Sequence, residues 1–229
     1  MDGTTMVAVA AASFVGSHFL LSHPLRAPLV KMLGNGGFTI VYALVAFATL
    51  GWTANAYKAA PITPMLWDVG DGMWAVASVI MLVASIMLVG SLIGNPALPG
   101  PATKAPEKAR GVFAITRHPM MWSFALWALA HVLVFPVAAN IALCAAIATL
   151  ALVGAALQDA KKRALVPELW HVWEKRSGYW PFAAIAAGKA LFGGFRPHDL
   201  AGGVVIWLAA TWAHIPMAGI AAGIWRWVG

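Results

Sequence analysis

Thr116-Arg117-His118-Pro119-Met120-Met121-Trp122-Ser123-Phe124-Ala125-Leu126-Trp127-Ala128-Leu129-Ala130-His131 runs from a charged border into an apolar segment that carries a second imidazole. From Pro119 to Pro136 there is no Asp, Glu, Lys or Arg, so the segment reads as a membrane-spanning helix, near the ~17–25 residues that a hydrocarbon core requires. An imidazole in hydrocarbon must find a hydrogen-bond partner or a metal, because an unsatisfied buried polar group costs roughly 2–7 kcal/mol. Intramembrane histidines are therefore candidates for function. His18 and His214 lie in comparable apolar runs.

The whole chain has the same character. With 61% hydrophobic and 10% charged residues and a mean hydropathy of +0.79, it falls in the integral membrane class. The expected fold is an all-α membrane protein, a single integral membrane domain over 1–229, with six spans. These are about Thr5 to Ser22, Gly36 to Tyr57, Gly72 to Ile93, Pro119 to Pro136, Asn140 to Leu157 and Gly203 to Ala222. If the spans alternate, segments 23–35, 94–118 and 158–202 share one side and hold thirteen of the fifteen Lys and Arg residues, leaving Lys58 and Arg226 opposite. That asymmetry predicts cytoplasmic basic loops and both termini on the outer side. The same topology accounts for the net charge of +7, and nucleic-acid binding is not expected. The first span has no basic residue before it and is expected to be retained rather than cleaved as a signal peptide. A lone cysteine, Cys144, excludes an intrachain disulfide framework and any Cys-rich metal site.

The connections are unequal. Phe135 to Asn140 is a short uncharged hairpin, which makes spans four and five antiparallel neighbours. Asn95 to Pro101 is rich in Pro and Gly and reads as an extended linker. Between spans five and six, Pro167 opens an amphipathic cytoplasmic helix, with Leu169, Trp170, Val172 and Trp173 set against Glu168, His171, Glu174, Lys175 and Arg176. Its expected place is the membrane interface. The run from Phe182 to Phe192 is too short to span and contains Lys189, so it is interfacial or re-entrant. Trp170 and Trp173, with most of the other tryptophans, fall near predicted borders, as belt anchors do.

Depth sorts the histidines. Thirteen residues at about 100° each put His118 and His131 on nearly opposite faces and about 20 Å apart. His131 lies about 18 Å from the basic border, His214 about 16 Å and His18 about 6 Å, so depth alone pairs His131 with His214. The plain alternative for each is a structural hydrogen bond to a backbone carbonyl or hydroxyl. Arg117 and His118 at the border suit positive-inside anchoring, or the binding of an acidic group such as an anionic membrane lipid.

Thr116 to Met121 and Leu126 to His131, together with Phe14-Val15-Gly16-Ser17-His18, Pro181 to Ile185 and Ala213-His214, resemble the NnrU family, which includes the 15-cis-zeta-carotene isomerases. The resemblance covers most of the chain in order. It implies a multi-pass protein of the bacterial inner (cytoplasmic) membrane that binds haem b (iron) through two axial histidines, falling on His18 and His131. Catalytic roles would follow the same two residues. His214 is then a rival ligand or a group over the haem, and Arg117 and His118 are further cofactor contacts. The shallow position of His18 is reconciled if span one continues past His23-Pro24 to about Leu33, with Arg26 and Lys31 snorkelling.

The implied chemistry is haem-dependent redox or cis-trans isomerisation of a lipophilic polyene. The alternative is a denitrification-associated electron-transfer or accessory protein serving a respiratory redox partner. The isomerases have a cysteine three residues before the deep histidine; here that position is Ala128, which bars a thiolate exchange there. Cys144 lies at a depth not far from that of His131 and could substitute. A third reading comes from the Arg-His-Pro border, which is similar to that of membrane isoprenylcysteine methyltransferases and sterol reductases. In those families an acidic pair and tyrosines hold a cytosolic cofactor; here Gln158-Asp159 and Tyr179 stand in the corresponding segment.

Overall fold

The computed structural model of the protein describes residues 1–98 and 105–228. Pro99 to Lys104 and Gly229 lie outside the described residues, and with them part of the Asn95–Pro101 linker and one of the thirteen basic residues, Lys104. All regular structure among the described residues is helical: α1 (Gly3–Ser22), α2 (Arg26–Ala59), α3 (Asp71–Gly90), α4 (Val112–Ile115), α5 (Pro119–Val134), α6 (Ala138–Leu165), α7 (Pro167–Arg176), α8 (Ala183–Ala186), α9 (Pro197–Ala218) and α10 (Trp225–Val228). Five of these, α1, α2, α3, α6 and α9, are long and apolar enough to cross a membrane, as in a multi-pass membrane protein. The sixth expected span, α5, is shorter, 16 residues or about 24 Å.

Local chemistry sets the ends. Asp2 caps α1 by accepting from the Thr5 amide at 2.8 Å, which satisfies one of the donors a helix start leaves open. At the other end Pro24 restricts the residue before it, and His23 leaves the helix with φ −121° and ψ −89°. Span one therefore does not continue to Leu33, and the expected deepening of His18 is corrected. The residues after Pro24 instead begin α2, which is interrupted at Gly34 (φ 70°), a backbone state that glycine enters at little cost.

The long helices are neighbours in the order α2, α1, α6, α5, α3, α9. The α5–α6 hairpin is as expected, closed by Asn140, whose amide donates to the carbonyls of Phe135 at 2.7 Å and His131 at 3.1 Å. Gly3 abuts Ala60 and Pro61 at the end of α2, and Arg226 pairs with Asp71 at the start of α3 at 2.9 Å. Two short apolar clusters mark the two ends of the bundle. One, around Val7, Ala10, Ala56 and Ala139, lies at the termini end.

The larger cluster lies at the basic end and is made by the connections. Ile86 and Met87 of α3, Val112 and Phe113 of α4, Trp170 and Trp173 of α7 and Ala184 of α8 pack together. This corrects the interfacial placing of α7: both tryptophans are 0% exposed, so its apolar face is turned to the protein. Each Trp removes about 200 Å² from solvent, an upper estimate of about 5 kcal/mol at ~25 cal/mol/Å². Each also leaves its indole Nε1 buried without a partner among the described residues, a cost of about 1–3 kcal/mol. Packing wins, which is why the helix folds inward.

Candidate functional site

The three deep histidines share one local arrangement. His18 Nδ1 donates to the Phe14 carbonyl, His131 Nδ1 to Trp127 and His214 Nδ1 to Ala210, each at 2.8 Å. A carbonyl only accepts, so the proton is on Nδ1 and the Nε2 lone pair is left free, the tautomer in which imidazole binds a metal. The structural hydrogen bond and ligand competence therefore coexist at all three.

What separates them is company. The rings of His131 and His214 are neighbours, with centroids 6.2 Å apart and planes tilted by 34°. Trp127 stacks on His131 at 4.0 Å. The two histidines come from α5 and α9, both of which pack on α3. His18 instead sits between Phe14 and Tyr42, at 4.3 and 5.4 Å.

The structure does not bring His18 to His131. Phe19, next to His18, meets the backbone at Gly154, whereas the His131 carbonyl is held by Asn140. Fourteen residues of α6 separate these levels, about 20 Å. His18 and His131 are thus not brought together, whereas His214 lies beside His131. Depth read from the sequence anticipated this pairing; Trp127 and Asn140 carried no comparable signal.

Arg117 and His118 belong to a second site. Thr116, held by its hydroxyl on the Tyr179 carbonyl at 2.7 Å, leads into α5. Arg117 Nε donates to both oxygens of Asp159 at 3.0 and 2.9 Å, and its second guanidinium nitrogen also pairs with that carboxylate. His118 Nε2 donates to Asp159 Oδ1 at 2.7 Å. Glu174 of α7 reaches Arg117 at 3.5 Å and Arg163 at 2.7 Å. Tyr179 lies edge-on to His118 at 5.8 Å and donates its hydroxyl to the Leu152 carbonyl at 2.6 Å. Burial, and then the Asp159 charge, push the Tyr179 phenol above its ordinary range, so it remains a donor.

This cluster ties the start of α5 and the last turn of α7 to the basic end of α6. Its groups are spent on one another: only His118 Nδ1 is buried without a partner among the described residues. Gln158, which stands beside Asp159 where other families have an acidic pair, donates to the Ala97 carbonyl at 3.0 Å. Neither Arg117 nor His118 is near the His131–His214 pair, since α5 puts about 20 Å between His118 and His131.

Cys144 lies one turn beyond Asn140, buried, with Sγ 3.7 Å from the Asn140 side-chain oxygen. Among the described residues no three His, Cys, Asp or Glu side chains gather as a metal site. His131 and His214 thus offer two donors. Two would not hold a bare ion tightly, but a porphyrin brings four nitrogens and needs only axial ligands from the protein.

A family model described as NnrU protein matches residues 6–222. Comparison with curated proteins and with solved structures gives no match.

Proposed function

The chain belongs to the NnrU family, and from that premise we propose that it is a membrane haem b protein in which His131 and His214 would hold the iron. The observation that carries this reading is the separation of their ring centroids, 6.2 Å. At that separation the two rings would both be within reach of one iron held between them, and histidine is an ordinary haem ligand. Their Nδ1–H bonds to Trp127 and Ala210 fix both rings and raise the basicity of Nε2.

Haem in this position would supply a six-coordinate iron suited to one-electron transfer with a respiratory partner. Two features favour electron transfer over isomerisation of a polyene. Ala128, one turn before His131, offers no exchangeable thiolate, and Cys144 is buried against Asn140. The protein's own residues hold the rings, exclude water through Trp127, and brace the α5–α6 hairpin with Asn140. We further propose six crossings of a bacterial inner membrane, α5 included, with the basic end cytoplasmic. The segregation of Lys and Arg supports that orientation.

Visible spectra test the ligand pair. The purified protein is expected to show a low-spin Soret band and, once reduced, no shift on exposure to carbon monoxide. H131A and H214A should each abolish the low-spin spectrum, while H18A should keep it. A spectrum lost in H18A but retained in H214A would overturn the assignment.

A further inference from the structure

A cavity of about 650 Å³ opens at the basic end of the molecule, between the segment leading into α4 and the loop from α8 to α9. Its lining contains five cations, Lys108, Arg110, Arg176, Lys189 and Arg196, against one carboxylate, Glu107. Two cations are already engaged. Arg176 donates to the Pro106 carbonyl at 2.8 Å, and Arg196 is held by Asp199 and by the carbonyls of Gly90 and Ile93. The side chains of Lys108, Arg110 and Lys189 make no hydrogen bond or ion pair among the described residues. With Arg196 paired to Asp199 and Glu107 the one carboxylate in the lining, the cavity keeps an excess of positive charge, and its complement is an anion.

The wall opposite α4 narrows the class of anion. Gly188 and Gly194 adopt φ of +66° and +97°, states open to glycine. A Cβ added at Gly188, Gly193 or Gly194 would meet nothing within 4 Å. The amides of Gly188, Lys189 and Ala190 are spent on the carbonyls of Ile185 and Ala184, so the glycines contribute room for a headgroup rather than donors, and the ammonium and guanidinium groups are what an oxyanion would meet.

The rim identifies the source. Leu191 is 86% exposed and Phe192 43%, and Leu92 and Ile93, just past α3, are 56% exposed. Ile93 adjoins the cavity through Arg196. Large apolar side chains beside a cationic cavity, at the end of hydrocarbon-length helices, match the level at which acyl chains give way to headgroups. A free metabolite would need no such rim. The site is also remote from the His131–His214 pair: eighteen residues of α9 separate Arg196 from His214, about 27 Å.

We propose that this cavity binds the phosphate of an anionic phospholipid headgroup, with Lys108, Arg110 and Lys189 as the charge partners and Leu191 and Phe192 against the acyl chains. The test is titration of the full-length, delipidated protein in detergent with short-chain phosphatidylglycerol, short-chain phosphatidylcholine and inorganic phosphate, read by native mass spectrometry. Phosphatidylglycerol should bind at least about tenfold more tightly than either of the others. The triple variant K108Q/R110Q/K189Q should weaken it about a hundredfold, at roughly a factor of five per charge, and K189R should retain it. All three residues are exposed, so folding should not change. Unaltered phosphatidylglycerol binding in the triple variant would overturn the site. Equal binding of phosphatidylcholine would overturn the charge argument, and equal binding of inorganic phosphate would overturn the lipid as source.

Discussion

Asp159→Ala is expected to destabilise the folded protein by about 3–5 kcal/mol, the cost of removing one partner from a buried ion pair. Asp159 is 3% exposed and is the shared acceptor for Arg117 and His118. Without it the Arg117 guanidinium keeps the 3.5 Å contact to Glu174 and its place over the Tyr179 ring, and His118, 2% exposed, has neither ring nitrogen bonded among the described residues. Water reaches neither group easily, so the desolvation already incurred by both is left uncompensated. Asp159→Asn keeps the volume and one acceptor and should cost about half as much, because the bidentate charge interaction is lost but not every hydrogen bond. Unfolding in detergent by increasing SDS fraction would measure both. Equal stability of Asp159→Ala and wild type would show that the cluster contributes nothing to holding α5, α6 and α7 together. Limited proteolysis should show the damage first in α7, since Glu174 and the Thr116 contact to Tyr179 depend on the same anchor.

The sequence and the structure agree most where hydrophobicity alone decides, and diverge where a connection folds back on the protein. α3, α6 and α9 are legible because uncharged runs of this length have no other stable home. α5 is legible as a helix, and its short uncharged turn dictates the hairpin with α6. The basic connections are different. Trp170 and Trp173 stand beside charged residues at 3.6-residue spacing, a pattern shared by helices that float in an interface and helices that pack on a protein. Only the presence of Phe113, Met87 and Ala184 opposite separates these outcomes, and no local pattern announces a partner so far away in the chain. The site shows the same division. Counting residues from the borders put His131 and His214 at one depth; nothing in either segment announces that α5 and α9 both pack on α3. Asp159 was visible as a residue, but its reach to both Arg117 and His118 arises because α6 continues as a helix to Leu165, beyond the expected end at Leu157.

Replacing Gly203 with leucine is expected to separate α9 from α3 and, with it, His214 from His131. A Cβ built at Gly203 would lie 2.5 Å from Ile86 Cα and 2.8 Å from Ile86 N. Those are backbone atoms, so no side-chain rotation relieves the overlap and the helices must move apart. Gly202 is the useful contrast: its added Cβ would meet Val89 Cγ1 at 2.7 Å, a side-chain atom that can turn away. Glycine to alanine inside a helix gains up to about 1 kcal/mol from backbone propensity, whereas overpacking costs about 1–3 kcal/mol. Gly202→Ala should therefore be near neutral, Gly203→Ala destabilising by about 1–2 kcal/mol, and Gly203→Leu by about 3 kcal/mol or more. Among the long helices α9 packs on α3, so displacement there is not absorbed by another neighbour. A shift of the helix axis by an ångström or two would carry His214 with it, eleven residues or about 16 Å further along. Gly203→Leu should consequently lose the low-spin haem spectrum although it touches neither histidine, while Gly202→Ala keeps it. An unchanged spectrum in Gly203→Leu, with stability reduced, would mean that the axial pair does not depend on α9, and His214 would no longer stand as a ligand.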